Sequence, residues 1–270
     1  MVVVAVAGGS GNVGRTMVET LLELREHEII VLSRKQSPGV ANVESVVVDY
    51  GDVGAIAEAL TQHDGWGSLP NKRSPVYAFR EASNAELRKT TLEWTRVSNG
   101  FFPDYYGSPR VKTHLPTITF AVDIASREAA LPGTRNESIA FTYSFDLARF
   151  VSASLSLPKW EETTYCYGDK TTWNEFIKVA EDITGSRLRV TYDPVEKLQK
   201  GEFTELPPHA KEAAASPFPE ALARSLLSIL GLWTAEGYFN ISVEGSLYQK
   251  FPNKKLMTVR DILLQGHGPK

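Results

Sequence analysis

An α/β fold built on a doubly wound parallel sheet is predicted by three features of the N-terminal part of the chain. Val2 to Ala7 is an apolar, β-branched run without a polar residue, the pattern of a parallel strand buried on both faces. Gly8, Gly9, Gly11 and Gly14 follow at once, and "NVGRTMVETLLELREH" then sets Val13, Met17, Val18, Leu21 and Leu22 close to helical spacing. Two further strand-like runs, "EIIVLSRK" and "VESVVVDY", complete three βα units of one mononucleotide-binding half.

The glycines fit two registers, Gly8-x-x-Gly11-x-x-Gly14 and Gly9-x-Gly11-x-x-Gly14. In either, an early glycine makes the tight turn, Gly11 lets the backbone approach a pyrophosphate, and Gly14 lets the helix pack on the strand. The helix N-terminus adds unpaired N–H groups and the positive end of a dipole, both suited to phosphate. A plain strand-to-helix turn that only needs positive φ has little use for four glycines. This is the turn of a Rossmann-type sheet.

The second strand ends in Ser33, Arg34 and Lys35. Arg34 stands where an NAD site would carry an acid for the ribose 2′-hydroxyl, and the charge there is positive, so NADP(H) is the expected cofactor. Basic residues at a strand end can also be no more than a solvated loop. Asp49 closes the third strand and either faces the adenine side of the crevice or shapes the turn into the next helix; Asp52 reads as the N-cap of "VGAIAEALTQH".

A fourth strand should follow, and none does. From Thr61 to Pro75 the chain holds Gly65, Gly67, Pro70 and Pro75 among polar residues and reads as loop. A helix over about Val76 to Thr90 and a strand at "LEWTRVSNGFF" come next, so two strand-and-helix units are missing, roughly 50 residues by the size of a βαβ unit. Residues 103–136 read as two proline-bounded loops around one strand, "TITFAVDI". "SIAFTYSFDLARFVSASLSL" predicts a strand and a helix with Asp146 near its N-cap. "TTYCYGDKTTWNEFIKVAEDITG" repeats the scheme, with Thr171 or Thr172 as cap and Gly185 as stop. "RLRVTYDPVEKLQKGE" adds a strand and a short helix, and a last helix is expected over 219–232.

Composition narrows the function. A formal net charge of −3 and the lack of a Lys/Arg stripe argue against nucleic acid and anionic lipid as partners, and favour a small-molecule substrate. The apolar start has no positive charge ahead of it and breaks into glycines, unlike a signal-peptide core, and no apolar stretch has the length of a membrane span. One cysteine, Cys166, excludes a disulfide framework, so a cytoplasmic, reducing compartment is expected. His27, His63, His114, His209 and His267 lack metal-ligand spacing, and no metal is expected. Phe101, Phe102, Tyr105 and Tyr106 crowd together after the 92–102 strand and line a substrate pocket or belong to the core. Trp160, Trp173 and Trp233 read as packing anchors.

With the glycine turn, the basic strand end and "ELRKTTLEWTRVSNGFFPDYYG" in place, the chain resembles the NmrA-like and isoflavone-reductase-like proteins, an atypical branch of the short-chain dehydrogenase/reductases, and their fungal NmrA-like members most. "FDLARFVSASLSLPKWEE", "YGDKTTWNEFIKVAEDITG", "YDPVEKLQKGEFTELP" and "FPNKKLMTVRDIL" carry the likeness in order over residues 1–62 and about 80–265. It implies an NADP-binding Rossmann-like domain over 1–112 and 137–185, and a smaller C-terminal α+β substrate domain over 113–136 and 186–270. Gly8, Ser10, Gly11, Asn12, Val13 and Gly14 would hold the pyrophosphate, and Arg34 with Lys35 the 2′-phosphate. The family's reductases carry a catalytic lysine where this chain has Arg80, which cannot serve as a general base but can anchor a ribose hydroxyl or polarise a carbonyl; Tyr77 is the candidate proton donor. The resemblance implies an oxidoreductase moving hydride between NADP(H) and a small metabolite. The alternatives are a catalytically silent NADP-sensing regulator acting on a protein partner, and an internally shortened, non-functional product.

Overall fold

The structure, a computed structural model, describes residues 2–33, 43–47, 81, 84–216 and 218–269. Strands β1 (Val3–Ala7), β2 (Glu28–Ser33) and β3 (Glu44–Val47) form a parallel sheet in the order β1-β2-β3, with Val6 opposite Val31 and Ser33 opposite Val47. Between β1 and β2 runs helix α1 (Asn12–Leu24), which buries Thr16, Met17, Val18, Thr20 and Leu21. Arg25 closes it in the left-handed region at φ 56°. This is half of the 3-2-1-4-5-6 strand order of the doubly wound sheet.

A separate two-stranded parallel sheet pairs β4 (Arg96–Ser98) with β8 (Thr163–Tyr165), riveted by the buried hydroxyls of Thr95 and Thr164 at 2.7 Å. Among the described residues β1 pairs with β2 alone and β4 with β8 alone, so no ladder joins the two sheets. Packing joins them instead. Helix α2 (Ser144–Ser154) lies against α1, and Met17, Val97, Phe102, Leu147, Phe150 and Cys166 share one cluster with Val6 and Val13 at its margin. The expected burial of the first strand on both faces is therefore corrected: Val3 is 60% exposed and Val4 to Ala7 are half-buried, because one flank of β1 lacks a neighbouring strand among the described residues.

A second sheet carries the C-terminal part. Strand β6 (Glu128–Pro132) lies between antiparallel β5 (Val122–Asp123) and parallel β10 (Arg189–Asp193). Helix α6 (Glu220–Ala235) packs on β6 and on the short α4 (Val195–Gln199), and α5 (His209–Ala215) packs on α6. The single strand expected from "TITFAVDI" is thus cut to Val122–Asp123, since Ala121 turns into the left-handed region at φ 61°, and β6 is an element the sequence reading missed.

Strand β7 (Ile139–Phe141) pairs antiparallel with β9 (Asp169–Thr171) and leads into α2, whose N-cap is Tyr143; Asp146 sits fully buried in its first turn. Helix α3 (Trp173–Thr184) starts at Thr172 in a full capping box with Glu175 and stops at Gly185, φ 63°, as its sequence predicts. The short α7 (Leu247–Lys250) packs on α2, and α8 (Val259–His267) on α3. Trp173 and Trp233 are core residues, and the Trp160 indole donates to the Ser154 carbonyl at 2.8 Å.

Candidate cofactor and substrate site

The turn from β1 into α1 divides its labour among four glycines. Gly8 takes φ +67°, and its carbonyl accepts the Gly11 N–H at 2.8 Å. A Cβ on Gly14 would lie 2.2 Å from that carbonyl oxygen, so the helix can sit this close to the strand only with glycine there. A Cβ on Gly9 would press on Val18 and Val31 at 2.9–3.0 Å, a packing reason for the fourth glycine. Gly11 differs: a Cβ there would meet only the Gly8 oxygen, at 3.3 Å, with open space beyond. Gly11 is also the N-cap of α1, and no side chain caps the helix. Ser10, Gly11 and Asn12 are exposed, so the first-turn N–H groups open outward beside the carboxyl end of β1. That arrangement is a ready anion site.

Arg34, Lys35, Asp49, Tyr77 and Arg80 lie outside the described residues. The carboxyl ends of the remaining strands converge on one side. Val6 at the end of β1, Val13 in α1, Phe102 beyond β4 and Cys166 beyond β8 meet in the same apolar cluster, so the three strands present a common carboxyl edge, where open α/β sheets bind ligands. The edge is tightly woven. The Cys166 N–H donates to the Ser98 carbonyl at 2.9 Å, and the Thr142 hydroxyl to the Asn99 carbonyl at 2.6 Å. Gly100 takes φ +69°, and a Cβ there would lie 2.2 Å from the Ala140 carbonyl oxygen. Within this weave the Asn99 side chain is fully buried, and neither its amide nitrogen nor its oxygen has a hydrogen-bond partner. An unpaired buried amide costs about 1–3 kcal/mol.

Phe101, Phe102 and Tyr106 are buried and Tyr105 is half-buried, each packed into the core. Phe101 is 3% exposed and sits among Phe120, Phe141 and Phe239; Tyr106 packs on Trp173 and Phe176 and donates its hydroxyl to the Phe120 carbonyl at 2.7 Å. Phe102 joins the α1–α2 cluster, with Tyr105 half-buried against both. Burial pushes both tyrosine hydroxyls far up from their ordinary value, so neither gives up a proton readily. The Cys166 thiol is fully buried and pushed up likewise, which leaves it no nucleophilic role. Asp104, between the two aromatic pairs, is also fully buried; it accepts from the Ser144 N–H at 3.0 Å and hydroxyl at 2.5 Å, and from the Thr113 hydroxyl at 2.9 Å.

Two residues at the edge escaped sequence reasoning. Asn99 carried no signal except its place at the end of a strand, and Lys170 none except its place in the short run "GDKTT". Among the described residues no group of three or more His, Cys, Asp and Glu is placed to hold a metal ion, and no helix is long and apolar enough to cross a membrane.

A parallel sheet of this order, with a glycine turn feeding an uncapped helix N-terminus, defines a Rossmann-type dinucleotide-binding fold. The chain superposes on a leucoanthocyanidin reductase–NADPH complex from Vitis vinifera with TM-score 0.69 at 13% identity, over 97% of this chain and 98% of that one. Citrobacter sp. triphenylmethane reductase complexed with NADP(H) gives TM-score 0.69 at 14% identity, over 98% and 100%, and an isoflavone reductase 0.64 at 16%, over 98% of each. No family model matches the chain. In sequence it is 33% identical to the oxidoreductase BOA1 of Botryotinia fuckeliana (strain B05.10), over 92% of this chain and 93% of that protein. It is 25% identical to the oxidoreductase swnN of Metarhizium robertsii (strain ARSEF 23 / ATCC MYA-3075), over 77% and 81%. The chain belongs to the NmrA-like and isoflavone-reductase-like family of atypical short-chain dehydrogenase/reductases. The match to BOA1 runs over 294 residues against the 270 of this chain, so that relative carries residues with no counterpart here.

Proposed function

We propose that the protein is an NADP(H)-dependent oxidoreductase that moves hydride between the cofactor and a small metabolite. The observation that carries this reading is the β1–α1 turn, where Gly8 turns the chain, Gly14 seats the helix and the uncapped N-terminus faces outward over exposed Ser10, Gly11 and Asn12. A pyrophosphate fits there, held by the first-turn N–H groups of Asn12, Val13 and Gly14. Arg34 and Lys35 are assigned the 2′-phosphate, and Asp49 the adenine side. NADPH, when bound, supplies the hydride. Arg80 stays a cation at every working pH, so its part is to anchor a ribose hydroxyl or polarise a carbonyl, and the proton is assigned to Tyr77. The oxidoreductase names of the relatives support the same class.

A second reading rests on the interrupted ladder. Among the described residues no ladder joins β1 to β4, and a reduced nicotinamide side of the crevice would favour a protein that senses NADP(H) without turnover and passes its state to a partner. Calorimetry with NADPH and NADH, followed by NADPH oxidation against a panel of enones and aldehydes, separates the readings. NADPH-selective binding with turnover is the expected result. Selective binding without turnover supports the sensor, and no binding of either cofactor overturns both and leaves a shortened, non-functional product. Arg34→Glu should weaken NADPH by about tenfold or more while sparing NADH; unchanged NADPH affinity would remove Arg34 from the site.

A further inference from the structure

Strand β9 alternates in use. Asp169 accepts the Val259 N–H at 2.8 Å and so fixes the start of α8, and the Thr171 hydroxyl donates to Glu175 at 3.1 Å beside the cap of α3. Lys170, between them, points to the other face. It pairs across the ladder with Ala140, whose backbone abuts Gly100 at the carboxyl end of β4, and Ala140 shares a small apolar cluster with Tyr165, Tyr167 and Ile241. The Lys170 ammonium sits 5.4 Å from the Tyr167 ring centroid, and that ring is stacked on Tyr248 at 5.2 Å and 22°. Tyr248 is 39% exposed, so the stack opens to solvent.

We propose that Lys170, with the Tyr167–Tyr248 stack, binds the acidic group of a planar, anionic substrate at the carboxyl edge of β4 and β8. The inference names the substrate class of the site described above, and it rests on the oxidoreductase reading for the substrate's fate, not for its binding. The side chains of Asp169 and Thr171 are tied into the fold by hydrogen bonds, whereas among the described residues no carboxylate pairs with the Lys170 ammonium. Burial, the one influence that registers on it, pulls it below the ordinary lysine value. An anionic ligand at this ammonium would supply the counter-charge that the described residues do not. Tyr167 is buried beneath the stack, so the partly exposed Tyr248 ring supplies the aromatic surface on which a flat ligand could rest.

The test uses trans-cinnamate and its uncharged counterpart cinnamamide as probes, titrated by calorimetry into the full-length protein with and without NADP+. Wild type is expected to bind cinnamate about tenfold more tightly than cinnamamide, as a charge-assisted contact allows. Lys170→Met should bring cinnamate to the level of cinnamamide, and Lys170→Arg should keep most of the preference. Equal binding of the two probes by wild type, or an undiminished preference in Lys170→Met, overturns the proposal. The same titrations read NADP+ affinity, which both variants should retain. Lys170-dependent cinnamate binding without NADP+ binding would keep this inference and remove the oxidoreductase reading; NADP+ binding with no charge preference would do the reverse.

Discussion

Gly11 and Gly14 lie on one turn of α1 and answer to different constraints. Alanine normally stabilises a helix position by about 1 kcal/mol over glycine, yet at Gly14 its Cβ would stand 2.2 Å from the Gly8 oxygen, and backbone on both sides must move. Gly14→Ala is therefore expected to destabilise the protein by about 2 kcal/mol or more, read as a lowered urea midpoint. Gly11→Val should cost the fold less than Gly14→Ala, about 1 kcal/mol for the lost N-cap preference, and weaken NADPH, because its side chain enters the space reserved for pyrophosphate; normal NADPH binding would refute this assignment. His209 shows the same dependence on atomic detail. Its Nδ1 accepts the Leu206 N–H at 3.0 Å and its Nε2–H donates to the Thr119 carbonyl at 3.1 Å, so a second proton would set N–H against N–H. Burial lowers its pKa from the ordinary 6.5, against weaker upward pulls from the Thr119 carbonyl, Glu212 and Glu205; Arg224 adds to the lowering. The unfolded chain then takes up the proton first, so the stability this site contributes is present above 6.5 and is lost as pH falls toward the folded value. Wild-type Tm should drop on acidification below pH 6.5, and His209→Asn, which keeps an acceptor for Leu206 and cannot take a proton there, should start lower and lose that slope. None of this was legible in a lone histidine, since its meaning comes from residues on three other segments.

At the scale of elements, most of the legible structure was local chemistry. The strand, glycine turn and helix at the N-terminus, and the Thr172-to-Gly185 bounds of α3, follow from residues within a few positions of one another. What failed depended on distant partners. "TITFAVDI" has the pattern of a strand, but the Tyr106 hydroxyl takes the Phe120 carbonyl and Ala121 turns left-handed, so little of it can join a ladder. Phe101 to Tyr106 is apolar in the way that both a pocket wall and a core are, and only the arrival of Phe141, Trp173, Phe176 and Phe239 decides for the core. Asp104 is the joint between that segment and α2: it takes the Ser144 N–H and hydroxyl at the start of the helix and the Thr113 hydroxyl from the following loop. Asp104→Ala would strand these buried donors, and a loss of about 3 kcal/mol in urea unfolding is expected. Asp104→Asn retains one acceptor oxygen and should recover part of it; if the alanine variant matched wild type, the joint would be incidental to stability.

The whole molecule is uneven in a way that follows from the divided sheet. The C-terminal sheet, with α3 and α6, surrounds a continuous aromatic core holding Trp173, Phe141 and Phe176, each of which is at most 1% exposed. The N-terminal sheet has a smaller cluster built on Val18, Leu21, Ile29, Val31 and Val43, and its outer valines Val3 and Val47 are mostly exposed. Among the described residues its contact with the rest runs through α1, against α2 and through Glu19 to Lys112 and His114, with no strand ladder between them. Opening of β1, α1 and β2 therefore exposes less apolar surface than opening of the remainder, and should occur at lower free energy. Amide hydrogen exchange is expected to show β1 and β2 exchanging well before β6, β10 and α3. The proposed pyrophosphate site belongs to this weaker part, so NADPH at a hundred times its Kd should add about 2.7 kcal/mol there, slowing β1 and α1 most. Uniform protection across both sheets without cofactor would mean that the α1–α2 contact joins the halves as firmly as a ladder would. Slowing confined to the C-terminal sheet on adding NADPH would move the cofactor away from the glycines.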